Sequence, residues 1–212
     1  MNDPETIEVI LPVSSLDINH ISPCVDSIST NMQRPFRLTV ATFGFLKESA
    51  MASLNVMLRA ICKGPWSLMN HKDSGYNGSI HASLEESKSE YQIVVPYDVR
   101  IQDDSWFGKM QQPLLSVAST SFCNGTQSRC ILPPCKLGNK LYTDGSSVFM
   151  TTRKSLQAVL KGVIFDKHEQ DYDHCYFYAI MRSGMMAFYI PSMGTYRVEI
   201  GRKKRTNQGS RS

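Results

Sequence analysis

The sequence predicts an α+β fold in which a mainly antiparallel sheet packs against one long and one shorter helix. Three observations carry that prediction. In Pro35-Phe36-Arg37-Leu38-Thr39-Val40-Ala41 the apolar residues Phe36, Leu38 and Val40 alternate, the period of a half-buried strand. From Phe43 the period changes, and Phe43, Leu46, Ala50, Leu54, Met57, Leu58 and Ile61 line one face of a helix. With Thr42 as N-cap and Gly64-Pro65 as a stop, that helix would run about five to six turns. Finally, strand-like segments outnumber helices, and few are separated by helices long enough for a parallel crossover.

The remaining elements follow in order. Thr6 to Leu11 reads as a first strand closed by Pro12, then a Ser/Asp/Asn/Pro-rich connection runs through Pro23. Residues 70–78 are a polar, turn-rich loop, followed by strands at Ser79–Leu84 and Tyr91–Ile101, the second broken at Pro96 as an edge or bulge. Residues 103–113 form a polar connection that leaves Trp106 and Phe107 exposed. Strands are expected at Leu114–Phe122, Arg129–Leu132, Lys140–Tyr142 and Ser146–Met150, and a helix at Thr152–Lys161 stopped by Gly162. Val163–Phe165, Cys175–Met181, Met185–Ile190 and Thr195–Ile200 complete an antiparallel end. The expected organisation is an acidic, partly flexible segment over residues 1–30, one globular domain over 31–200, and a disordered basic tail over 201–212.

Charge is distributed unevenly. The net charge of +4 is exceeded by the five cations of the last twelve residues, which carry no acid, whereas residues 1–30 hold Asp3, Glu5, Glu8, Asp17 and Asp26 with no Lys or Arg. No apolar run approaches the roughly 18–20 residues of a membrane span, and the acidic start is unlike a signal peptide. A cytosolic setting is therefore expected, with Cys24, Cys62, Cys123, Cys130, Cys135 and Cys175 as free thiols.

Catalytic motifs are absent from the sequence: there is no Gly-x-x-x-x-Gly-Lys loop, Gly-x-Gly-x-x-Gly turn, Gly-x-Ser-x-Gly elbow or His-Glu-x-x-His pair. Asp166, His168, Glu169, Asp171, Asp173 and His174 mix imidazoles with carboxylates, but between two strands they read as a solvated loop. Cys123, Cys130, Cys135 and Cys175 with His174 lack the close Cys-x-x-Cys pairs of structural zinc sites, so buried thiols are expected, and no metal or cofactor. The sharpest local signal is Arg202, Lys203, Lys204 and Arg205, a point of attraction for nucleic acid, anionic lipid or an import factor. Trp66, Trp106 and Phe107 are candidates for membrane or partner contact, or for capping the core from the side.

Gln33-Arg34-Pro35-Phe36-Arg37, the helix behind it, Lys63-Gly64-Pro65-Trp66 and the hairpin to Tyr91 and Pro96 together resemble the matrix proteins of rhabdoviruses. The resemblance covers about residues 30–100. It implies a non-enzymatic structural protein that self-associates, condenses the viral nucleocapsid and its RNA, and links it to an anionic membrane surface during budding. Arg34 and Arg37 carry over as contacts, and the tail cations join them by chemistry alone. The acidic start and the absence of a Pro-Pro-x-Tyr budding motif depart from animal members and fit a plant-infecting relative better, with nuclear import factors as further partners. Such a protein would take no small-molecule substrate and would lie beneath the virion envelope, in host cytoplasm or in the nucleus. The alternative is a monomeric regulator that binds nucleic acid or a host factor, such as a silencing suppressor.

Overall fold

The computed structural model describes residues 6–14, 18–44, 47–72, 74–116, 123–124, 148–160, 188–189 and 195–197. In chain order these form β1 (Ile7–Val13), α1 (Ile18–Asn31), β2 (Arg37–Phe43), α2 (Glu48–Ile61), β3 (Trp66–His71), α3 (Tyr76–Glu86), β4 (Tyr91–Val94) and β5 (Val99–Ile101). They continue with α4 (Trp106–Ser116), β6 (Cys123–Asn124), β7 (Phe149–Thr152), α5 (Arg153–Leu160), β8 (Phe188–Tyr189) and β9 (Thr195–Arg197). The described strands make a sheet in the order β3-β2-β1-β4-β7-β6-β8 and a separate antiparallel ribbon of β5 and β9.

The first four strands of that order are parallel, and β7 joins β4 antiparallel. The expected mainly antiparallel sheet is therefore corrected to an α/β arrangement. Three segments expected to be loop or strand are helices, and Leu114–Ser116, expected to open a further strand, close the last of them, residues 117–122 lying outside the described residues. The connection after β1 is α1, whose Ile21, Cys24, Val25 and Ile28, with Met32 just beyond, form a buried stripe. The expected strand at Ser79–Leu84 lies within α3. Only Ile80 and Leu84 there are buried apolar residues, and the rest of its inner face is serine. Ser79 and Ser83 bond back to the carbonyls of Tyr76 and Ser79, each at 2.8 Å, so small satisfied side chains let the helix lie close on β1 and β2. The polar connection at 103–113 is mostly α4, with Trp106 and Phe107 in the core rather than exposed.

The long helix is shorter than its apolar stripe suggested. Thr42 is in β2, donating to the Met69 carbonyl at 3.1 Å, and α2 begins after Lys47. It ends at Ile61 with Cys62 extended. Gly64 serves close approach instead of a left-handed stop: a Cβ there would lie 3.3 Å from the Phe36 carbonyl oxygen. The positive-φ residue among those described is Gly44, at +71°, where β2 turns away. Pro96 follows β4, which is flanked on both sides, so the expected edge position does not hold. The expected elements at Arg129–Leu132, Lys140–Tyr142, Val163–Phe165 and Cys175–Met181, and the basic tail, lie outside the described residues.

Helices cover both faces. On one, Ile7, Val9, Leu11 and Val13 of β1, Leu38 and Val40 of β2 and Ile93 of β4 pack with α1, with Leu54 and Leu58 of α2 and with Trp106 and Met110 of α4. On the other, α3 lies on β1 and β2. The change of face follows from topology. The chain steps β1, β2, β3 one way and then reverses to place β4 beyond β1, and right-handed crossovers then require α3 on the opposite side. β1 is therefore buried along its whole length, and the segment expected to be partly flexible supplies one of the sheet's inner strands.

Candidate functional site

In an open parallel sheet, ligands bind outside the carboxyl ends of the strands where the strand order reverses. Here that point lies between β1 and β4. The two strands separate there. Val95 N–H donates to the Ile10 carbonyl at 2.9 Å, the last rung of their ladder. Pro12, two residues on, faces the same way and has no N–H to continue it, which is why a proline is tolerated in this central strand.

Four side chains gather at the opening. β4 runs into the turn Pro96-Tyr97-Asp98, in which Tyr97 and Asp98 are half-buried, and the first turn of α1 brings His20 to it. The His20 and Tyr97 rings lie 6.5 Å apart, tilted by 42°. Beneath them is Arg100, 7% exposed, whose guanidinium donates to the carbonyls of Tyr97 at 2.9 Å, Val99 at 2.8 Å and His20 at 3.4 Å. The Cys24 thiol, 3.6 Å from the Pro96 carbonyl, ties the turn to α1. Burial pushes that thiol up to about 12, outweighing the Arg100 charge that lowers it, so it stays protonated and serves as a donor.

The neighbouring strand ends complete the rim. Phe43 meets Tyr76 edge to face at 5.6 Å, and Gly44 N–H donates to the Ser74 carbonyl at 3.2 Å. His71, at the end of β3, lies 3.4 Å from the Ser83 hydroxyl. Burial lowers the pKa of this imidazole, against a smaller upward pull from Glu86, and so favours its neutral form.

The sequence-predicted contacts lie elsewhere. Arg37 is exposed at the start of β2, and Trp66 is half-buried at the start of β3, both at the amino end of the strands. Arg34 stacks 5.4 Å over the Phe107 ring and reaches Gln111 at 3.4 Å. Trp106 is fully buried, its indole N–H donating to the Asn31 carbonyl at 3.2 Å. Arg202, Lys203, Lys204 and Arg205 lie outside the described residues. A shallow depression also opens at the amino end, but its lining, including Val25, Phe36, Leu38 and Cys62, is mostly apolar and lacks convergent polar groups. Among the described residues no helix is long and apolar enough to cross a membrane.

No protein-family model matches the sequence, and no curated protein matches it either. Solved structures do match. A mannosyltransferase from Pyrobaculum calidifontis, in complex with GDP-Man and Mn2+, superposes with a TM-score of 0.68 at 11% identity over 95% of this chain. The chain shares the fold of that enzyme. Glucosyl-3-phosphoglycerate synthase from Mycobacterium tuberculosis, in complex with Mn2+, UDP and glucosyl-3-phosphoglycerate, gives 0.64 at 13% identity over 92% of this chain and 73% of its own. S. aureus TarS, residues 1–349, gives 0.61 at 11% over 91% and 60%. This chain spans 59% of the length of the mannosyltransferase.

These likenesses overturn the resemblance to viral matrix proteins. With it go the expected non-enzymatic structural role in assembly and budding, the nucleocapsid and membrane partners, and the exclusion of a small-molecule substrate. The cause is physical: Arg34-Pro35-Phe36-Arg37 and Lys63-Gly64-Pro65-Trp66 are the entries to two adjacent parallel strands, a constraint many unrelated sheets share.

Two of these neighbours hold Mn2+, an ion that needs several converging carboxylate or imidazole donors. At the β1–β4 opening Asp98 is the carboxylate among the residues just described, and no group of three His, Cys, Asp or Glu side chains converges among the described residues. That set does not make a divalent-cation site, and no step is routed through one.

Proposed function

We propose that this chain binds a nucleotide sugar in the opening between β1 and β4 and transfers its glycosyl group to an acceptor. The observation that carries the reading is the coincidence of the strand-order reversal, the early parting of β1 from β4, and a turn that presents Tyr97 and Asp98 there. The fold of the nucleotide-sugar enzymes named above supports it.

Glycosyl transfer forms a bond from an acceptor oxygen to the anomeric carbon and breaks the bond from that carbon to the diphosphate. The acceptor proton passes to a base, and a nucleoside diphosphate leaves. The residues at the opening meet parts of that demand. The Tyr97 ring offers a face for a nucleobase, and the Asp98 carboxylate can accept hydrogen bonds from ribose or sugar hydroxyls. Arg100 holds the turn that carries both by bonding three carbonyls.

The test is nucleotide release from a panel of UDP-, GDP- and CMP-sugars, with and without simple sugar acceptors. Release that rises with acceptor and falls in Tyr97→Ala and Asp98→Asn would support the reading. No release and no nucleotide binding by the folded chain would end it.

A further inference from the structure

We propose that the opening between β1 and β4 takes a nucleoside diphosphate without a divalent cation, the buried Arg100 guanidinium supplying the positive charge from beneath the turn. This rests on the nucleotide-sugar reading above and specifies how that site neutralises its ligand. A diphosphate brought into a protein needs compensating charge, from a cation held by carboxylates or from the chain's own cations. The described residues favour the second arrangement. Among them a metal-binding cluster is absent, and the turn after β4 begins with a buried proline, Pro96, leaving Asp98 as its single carboxylate.

Arg100 differs from an ordinary buried arginine. Its hydrogen bonds among the described residues run to the main-chain carbonyls of Tyr97, Val99 and His20, and neither ion pair found there includes it. The guanidinium is 7% exposed, and in so poorly solvated a setting its charge acts at longer range than it would in water. It lies directly under the turn that closes one side of the opening. Burying such a cation costs several kcal/mol unless something offsets it, and an anion seated on the turn would do so.

The experiment is calorimetric titration of the full chain with UDP and with GDP, in buffer containing Mn2+ and in buffer containing excess chelator. The expected result is binding in both, with Kd differing by less than about threefold, under 1 kcal/mol. Arg100→Met, checked for folding by its far-ultraviolet spectrum, should weaken binding roughly tenfold to a hundredfold, as befits loss of a charged partner. Binding that needs Mn2+ would overturn the proposal while leaving the nucleotide-sugar reading intact. Absence of binding in either buffer would overturn both. The chelator comparison uses the unaltered chain, so it decides the matter even if Arg100→Met does not fold.

Discussion

The two ends of the parallel strands are built to opposite plans. At the amino end a carboxylate is turned inward and satisfied: Glu8, 7% exposed, accepts from the hydroxyls of Thr39 and Ser87, and Thr39 also meets Ser67 at 2.9 Å. Among the aromatic groups there, Phe107 packs edge to face with both Trp106 and Tyr91. At the carboxyl end the strands part, turns replace ladders, and rings and a carboxylate are left half-covered at Tyr97 and Asp98. A closed polar cluster adds cohesion, whereas an open one can receive a ligand. The comparison teaches that conspicuous side chains and useful ones need not share an end.

Substitutions at each end sharpen the contrast. Trp106→Ala should cost about 3–5 kcal/mol of stability in denaturant unfolding, the usual penalty for emptying an aromatic core site. Its effect on nucleotide affinity should follow only the loss of folded protein. Glu8→Ala should cost about 1–3 kcal/mol, because the Thr39 and Ser87 hydroxyls lose their acceptor, again without selective loss of binding. Acid titration offers a third probe. Burial lowers the pKa of both His71 and His81, so the unfolded chain binds more protons than the folded one as pH falls through the ordinary histidine value of 6.5. Stability should therefore decline over that range, and His71→Gln with His81→Gln should flatten the decline. Lower still, Asp103 is held at about 2 by its bonds from Lys109 and Ser105. Its stabilisation is present above 3.8 and is lost as pH falls toward 2, so Asp103→Asn should lower Tm slightly at neutral pH and not below that window. Smallest of all, Arg37→Ala should change stability by no more than about 0.5 kcal/mol and leave nucleotide binding untouched. Selective loss of binding in Arg37→Ala would move the site to the other end of the sheet.

Some of this was legible in the sequence and some was not. The alternation of Phe36, Leu38 and Val40 announced β2, and Leu54 and Leu58 announced α2, because in each the large apolar residues recur at the element's own period. α3 was hidden by its serines, since Ser79 and Ser83 are buried through size and hydrogen bonding rather than through hydrophobicity. α1 was hidden by Pro23 and by its polar outer face, although Ile21, Cys24, Val25 and Ile28 keep helical spacing. Losing those two helices removed two of the three crossovers that make β1, β2, β3 and β4 parallel. With them went the one rule that locates the site. His20, Tyr97, Asp98 and Arg100 belong to no local motif, and they meet only because the strand order reverses. The available signal was Pro96-Tyr97-Asp98 closing the apolar run from Tyr91 to Val95, which marks a carboxyl end once the sheet is known to be parallel.

The position of β1 also bears on how the chain is made. Of the described strands it is the earliest in the chain, yet Ile7 pairs with Tyr91 on one side and Glu8 with Arg37 on the other. One flank can close once α1 and β2 have emerged, while the other waits for a strand more than twice as far along, a high contact order that slows folding. Until then a strand buried along its whole length in the finished fold carries an open edge. An arrested nascent chain ending between β3 and β4 is therefore the species most exposed to aggregation, and the one a chaperone would have most reason to hold.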